Sequence, residues 1–301
     1  MTRLKADSLL VLVTIIWGTA FVAQNLAMKI VGPLIFTGAR FMLGALAVLP
    51  FAIVEWRRLA RRGVQFDAFD LWTGFGLGIL LFLGAVFQQI GIAGTSVSNA
   101  GFLTALYVPL VPLLGWIIFA QRPHPSIAAG VLICLYGTWL LSGSELTALK
   151  SGDLWVIAST VFWAAHILFV GRVADRKGAP LLVATLQFLV CGLLGGLTGV
   201  YLEGPDMGGL LNAAGPIFYA GVLSVGVAFT LQVVAQRHTP PADAAILISA
   251  EMLVAAVAGN LILGEQLGAG QWLGGGLILT AIILIQALPL FRLSRSERIS
   301  C

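Results

Sequence analysis

The residues in this chain that could do chemistry are few, and most of them stand in the middle of long apolar stretches. Glu251 is the sharpest of them. A carboxylate in such surroundings costs roughly 3 kcal/mol unless it is protonated, paired or wetted. It is therefore a candidate proton carrier or a binder of a substrate amine, with a neutral acid bonded to a neighbouring helix as the alternative. Trp17, Tyr107 and Trp163 hold similar central positions. Indole and phenol groups usually sit where their polar tips reach water. Away from it they need a partner, a cavity or a solute, so they are candidates to stack on or shape a substrate; filling a bundle core is the rival reading. His166 titrates in the working range or is a satisfied core residue. Arg40 snorkels, bonds carbonyls of broken neighbouring helices as structural support, or meets an anion. Nothing pairs His166 or Glu251 with an Asp, Ser or Cys into a hydrolytic or transfer constellation. Cys134, Cys191 and Cys301 form no spacing motif, so neither a disulfide framework nor a metal site is expected, and no cofactor is expected. Binding, not catalysis, is what these residue types suit.

Their spacing gives them common faces. Trp17, Phe21 and Gln24 fall at i, i+4 and i+7, one side of a helix. Thr160 and Trp163 are followed in the same way by His166 or Ile167. Phe82, Ala85 and Gln89 share a face with Gln88 beside it, and Phe229, Gln232 and Gln236 share another. A lipid-facing stripe would be purely aliphatic; these mix aromatic with amide or hydroxyl groups and are read as facing a pathway. Pro109 and Pro112 free backbone carbonyls mid-stretch, which suits a gating helix or merely shapes the bundle.

The elements that position these residues come in two copies. The stretch from Thr95 to Arg122 recurs from Thr239 to Gln266: Thr95 answers Thr239, Asn99 answers Asp243, Tyr107 answers Glu251 and Gln121 answers Glu265, each 144 residues apart. Gln88 and Gln232 keep that offset. Asp7 and Trp17 match Asp153 and Trp163 at 146; Pro33, Arg40 and Phe41 match Pro180, Gln187 and Phe188 at 147. The chain is thus a duplication, with repeats over 1–147 and 148–301. Leu253 and Ala256 stand where the first copy has prolines, so the copies are not equivalent.

Of 301 residues, 59% are hydrophobic and 10% charged, against about 25% charged in soluble domains. Such a chain belongs in a bilayer. Ten spans follow: 8–28, 33–54, 71–93, 97–119 and 126–142, then 153–172, 181–202, 214–235, 243–263 and 271–290. The first resembles a signal peptide, but it is long and has an internal counterpart, so it is read as a crossing. Glycine pairs four apart, Gly74/Gly78, Gly192/Gly196 and Gly270/Gly274, suit close helix crossings. With the amino terminus in the cytoplasm, 14 Lys and Arg lie inside and only Lys29 and Lys150 outside, with Arg40 within a span; that is a positive-inside pattern. Both termini are then cytoplasmic. Five crossings is an odd number, so the second copy runs in the opposite sense. The expected fold is all-α and integral to the membrane: ten transmembrane helices as two inverted five-helix repeats, with a site near the midplane. The net charge of +4 reflects this distribution and not a nucleic-acid surface.

Trp17-Gly18 followed by FVAQNLAMK resembles the opening signature of the drug/metabolite transporter superfamily, and Arg40-Phe41 resembles its usual Arg-Phe. Leu263-Gly264-Glu265-Gln266 and the run from Gln271 to Leu279 resemble the closing signature of its EamA-like repeat. The first copy departs at Gln121, where Glu is frequent, and Ala164 replaces glycine after Trp163; both weaken any mirrored role. The resemblance implies an exporter of small metabolites working by alternating access in a bacterial-type inner membrane. Aromatic amino-acid exporters look most similar, given the aromatic midplane; a drug or other metabolite is the alternative, and a membrane enzyme or channel the remote one. Trp17, Tyr107 and Trp163 would shape the substrate, and Gln88, Gln232 and Glu251 would bond its polar end. Partners are the solute, the lipid bilayer and, if Glu251 titrates in the cycle, protons. A monomer already contains both halves.

Overall fold

A computed structural model describes residues 1–95, 97–120, 122–141, 151–204, 206–263 and 266–299; the side chains of 97–99, 102, 126, 141, 263 and 285–299 are outside the description. The repeat boundary at 147/148, Gln121, Gly264-Glu265 and the side chains of Asn99 and the C-terminal arginines therefore lie outside the described residues. What is described is helical, without strands.

The first half contains α1 (Arg3–Ala27), α2 (Pro33–Arg61), α3 (Ala68–Gly94), α4 (Val97–Thr104), α5 (Tyr107–Phe119) and α6 (Pro125–Leu141). The second contains α7 (Ser151–Arg176), α8 (Pro180–Leu202), the short α9 (Met207–Asn212) and α10 (Ala214–Phe218). A π-helical stretch (Tyr219–Phe229) follows, then α11 (Thr230–Ala235), α12 (Pro241–Ile248), α13 (Glu251–Leu263) and α14 (Ala269–Ile299). Seven helical segments are long and apolar enough to cross a bilayer, and three shorter apolar ones accompany them, at Tyr107–Phe119, Ile127–Leu140 and Ala269–Leu284. Large apolar side chains face outward, including Ile117, Leu197 and Leu261, as lipid contact requires and water would penalise.

Local chemistry explains the starts. Pro33 and Pro180 occupy the first turns of α2 and α8, where a missing N–H loses nothing. Asp67 and Asp70 form a reciprocal capping box on α3. Two caps come from far along the chain. Glu203, at the end of α8, accepts from the Leu34 and Ile35 N–H groups of α2, both at 2.9 Å. Glu55, late in α2, accepts from the Leu181 and Leu182 N–H groups of α8, also at 2.9 Å. The two helices clasp each other's N-termini, so they run antiparallel. Between the clasps they touch through glycine: a Cβ on Gly38 would sit 2.4 Å from the Gly196 nitrogen. The α3–α7 pair is also antiparallel, with Gly84 against the Trp163 ring and Gly91 against Val156.

The fourth expected span is not one helix. It breaks at Ala105–Leu106, where short bonds run from Leu106 N–H to Leu103 O (3.2 Å) and from Val108 N–H to Ala105 O (2.9 Å). Pro109 has no N–H for the Ala105 carbonyl, which fixes the break one turn upstream of the proline. The ninth span breaks at Ser249–Ala250, 144 residues on, without a proline. There the Ser249 hydroxyl donates to the Ile246 carbonyl at 2.6 Å and competes with the helix ladder. The two copies are alike at this point, although their sequences reach the break by different chemistry.

Candidate functional site

The breaks place two helix starts at the centre of the bundle. Tyr107 is the first residue of α5 and Glu251 the first of α13, and both line one internal cavity of about 50 Å³. Trp17, Phe21 and Gln24 reach it from α1, Arg40 from α2, Gln88 from α3 and Trp163 from α7. Gln232 enters from α11. Among the residues of the recognised stripes, Phe82, Ala85, Gln89, Thr160 and Gln236 do not line the cavity, but nine of the twelve candidate site residues do. Of the other three, Pro109 and Pro112 shape α5 from outside the cavity. His166 is fully buried one layer behind: its Nε2 lies 2.8 Å from Gln187 Oε1, and its ring meets Trp163 and Phe229 edge-on.

Each wall has a local cause. The Trp17 indole N–H donates to the Ser224 carbonyl at 3.2 Å, within the π-helical stretch. Gly18 lets α13 come close: a Cβ there would sit 2.5 Å from Val254 Cβ and 2.7 Å from the Glu251 carbonyl oxygen. Phe229 is held between the tryptophans, 4.5 Å from Trp17 and tilted, 5.9 Å from Trp163 and stacked. Phe41 and Phe188 back it at 5.8 and 6.1 Å.

Polar groups are arranged between these rings. Arg40 donates from Nη1 to Gln24 Oε1 at 2.8 Å and lies 5.1 Å from the ring centres of both Phe36 and Phe41. Its counterpart, Gln187, bonds His166 instead, a neutral version of the same bridge from the second helix of a half to the first. Gln88 donates to Thr104 Oγ1 at 3.0 Å. The Tyr107 hydroxyl lies beside the Glu251 carboxyl without meeting hydrogen-bond geometry. Gln232 Oε1, Trp163 Nε1 and Arg40 Nε are buried with no protein partner. Buried polar atoms are rarely left unpaired, so these await water or a solute. At ~10–15 Å³ per water the cavity holds a few waters. It is far below the ~300 Å³ of a typical small-molecule site.

Thr104, Ile167, Ser224, Phe229 and Ile248 also line the cavity, and of these Thr104, Ser224 and Ile248 were not singled out. Phe229 stood in a recognised stripe with Gln232, and Ile167 was an alternative to His166 at the same helical step. Ser224 contributes its backbone carbonyl through a π-helical turn, for which no side-chain pattern exists.

A sequence model described as the EamA-like transporter family matches residues 4–143 and again 150–287. An "uncharacterized transporter" of Archaeoglobus fulgidus is 30% identical over 286 residues, covering 94% of this chain and 86% of that protein. A "probable amino-acid metabolite efflux pump" of Escherichia coli K12 is 26% identical over 303 residues, covering 93% and 94%. A crystal structure aligns with a TM-score of 0.75 at 18% identity, over 96% of this chain and 99% of that one, a likeness of fold alone.

Proposed function

Because the chain belongs to the EamA-like transporter family, we propose that it exports amino acids or similar small metabolites, aromatic and hydrophobic ones favoured, by alternating access. The observation that carries this reading is the cavity itself. It sets one carboxylate, Glu251, and one guanidinium, Arg40, around the ring cluster of Trp17, Trp163 and Phe229. A zwitterion offers an amine to the first and a carboxylate to the second, and an apolar side chain fits the rings. The efflux-pump name of the Escherichia coli relative supports the same class. Gln24, Gln88 and Gln232 supply neutral bonds around the charged pair.

The membrane arrangement in this reading is ten crossings in two inverted repeats, 1–147 and 148–301, in an inner membrane with both termini cytoplasmic. The antiparallel α2–α8 pair with its reciprocal caps and the matched breaks in both halves support the two-fold relation. One chain supplies both sides of the cavity, so a monomer suffices. Protons couple to export if Glu251 exchanges one during the cycle, and the solute's own gradient drives it otherwise.

The test is counterflow into proteoliposomes loaded with unlabelled tryptophan, phenylalanine or leucine. Saturable uptake of the labelled amino acid is the expected result. Flux that does not saturate favours a channel, and product formation without flux favours an enzyme. A saturable response only to cationic or neutral drugs replaces the amino-acid assignment with the drug exporter of the same fold.

A further inference from the structure

We infer that the two halves are latched together at both ends of the cavity, and that these latches are the gates of the transport path. At one end the Thr239 hydroxyl, in the turn before α12, donates to Asp7 of α1 at 2.7 Å. Arg3 adds ion pairs to Asp7, at 3.5 Å, and to Asp243. At the other end the Thr95 hydroxyl, capping α3, donates to Asp153 of α7 at 2.5 Å. These are one contact made twice. Asp7 and Asp153 are equivalent positions, as are Thr239 and Thr95, and each bond joins an aspartate of one half to a threonine of the other. Asp7, Asp153 and Thr239 are buried, so water does not compete for the bonds while they stay closed.

The two latches lie at opposite ends of the bundle. Helix α7 carries Asp153 at its start. At its end Gly171 packs on Gln236 and Asp175 accepts from Arg237 at 3.1 Å, two residues before Thr239. From Asp153 to Asp175 the helix rises ~33 Å at 1.5 Å per residue, close to the thickness of a bilayer's hydrocarbon core. Trp17 follows Asp7 by ten residues and Trp163 follows Asp153 by ten. Each cavity tryptophan therefore lies ~15 Å along its helix from a latch. The cavity sits midway between two closed doors, which accounts for its small volume. Alternating access requires one latch to part while the other holds, and a side-chain bond between rigid helices parts with less rearrangement than a packed apolar plug.

The doors differ in one respect. In sequence, the positions answering Arg3 and Asp243 are Leu149 and Asn99, an uncharged pair. Among the described residues, the ion pairs of Arg3 with Asp7 and Asp243 reinforce the Thr239 end.

The inference rests on reading the cavity as a carrier's substrate site, but its test needs no substrate. Thr104→Cys places a thiol at the cavity, beside Gln88, in a protein whose three native cysteines are replaced by alanine. A membrane-impermeant maleimide is then applied to each face of oriented vesicles. Arg3→Gln is expected to raise labelling about tenfold from the Arg3 end only, the population shift that roughly 1.4 kcal/mol brings. Thr95→Val is expected to do the same from the opposite end only. The charge swap R3D/D243R keeps the pair between the halves while losing the one within α1, and is expected to bring labelling back toward the parent rate, which separates loss of the lock from loss of the fold. The inference is overturned if both single variants raise labelling from the same face, if neither changes either rate, or if the swap labels as fast as Arg3→Gln. Failed amino-acid counterflow together with end-selective labelling would remove the substrate assignment and leave the gates.

Discussion

Removing the reciprocal clasps between α2 and α8 tests how the halves are joined, and the two ends should not respond equally. Each clasp is a carboxylate taking two backbone N–H groups at a helix start, where the helix dipole also favours negative charge. Loss of a helix cap costs about 0.5–2 kcal/mol, and hydrogen bonds to a charged group sit at the upper end of the usual range. Glu203 is exposed and Glu55 half-buried. Water replaces the first and reaches the N–H groups of Leu181 and Leu182 less easily after loss of the second. Glu203→Ala is therefore expected to cost about 1 kcal/mol and Glu55→Ala about 2 kcal/mol. The clasps lie some 20 residues apart along α2, ~30 Å, so the double variant should add to about 3 kcal/mol. Thermal unfolding of the purified protein in detergent measures this. At about 2–4 °C per kcal/mol, Glu55→Ala should lower Tm by about 4–8 °C and Glu203→Ala by about half as much. Glu55→Gln, which retains one acceptor, should fall between Glu55→Ala and the parent. If Glu203→Ala proves the more damaging, or if either variant unfolds with the parent, the clasps are surface ornament and the two-fold junction is held by glycine packing alone.

Three further outcomes follow from the cavity. Gly18→Leu drives a side chain into Val254 and the Glu251 backbone, contacts already under 3.0 Å for a bare Cβ; overpacking of this kind costs about 1–3 kcal/mol, and transport should be lost while protein still reaches the membrane, as read by flux against surface-normalised yield. Phe229→Ala removes the ring between the tryptophans and should raise KM for an aromatic substrate about tenfold, with a smaller rise for alanine; equal changes for both would deny the ring a role in side-chain recognition. Glu251→Gln keeps the shape but not the exchangeable proton, so export should lose its dependence on an imposed proton gradient, and unchanged gradient-driven flux in that variant would confine Glu251 to binding.

Much of the site was legible because the sequence states it twice. Trp17 and Trp163, Gln88 and Gln232, and Tyr107 and Glu251 were marked by sharing an offset, and an apolar helix has few reasons to keep such residues at its centre. The cavity brings all six together. What stayed hidden depends on backbone and on distance. The break in the ninth span has no proline to announce it, since a serine turning back onto its own helix does the work. Ser224 lines the site through a carbonyl, which every residue possesses. The clasps of Glu55 and Glu203 join positions roughly half a chain apart, and a glutamate near a helix end reads as ordinary surface until its partner is known. His166 shared a helical step with Ile167, and spacing could not decide between them; packing turned the isoleucine to the cavity and the imidazole to Gln187.

Divergence of the two copies also explains why the ionisable residues of the cavity are not mirrored. The tryptophans survive in both halves, but the charged positions do not. Arg40 faces a counterpart that is Gln187, and Glu251 a counterpart that is Tyr107. Had both halves kept the arginine, two buried cations would repel each other; had both kept the glutamate, two buried acids would. Divergence leaves one arginine, on α2, and one glutamate, on α13, at the wall of a shared space. Buried ionisable groups are held at a cost unless each finds hydrogen bonds, and here Gln24 serves Arg40 while Glu251 opens α13 beside the Tyr107 hydroxyl. In the proposed function a solute that is itself a dipole completes both ends at once. A simple ion completes one and strands the other. The divergence of two once-equal copies is thus what makes a single asymmetric site out of a symmetric fold.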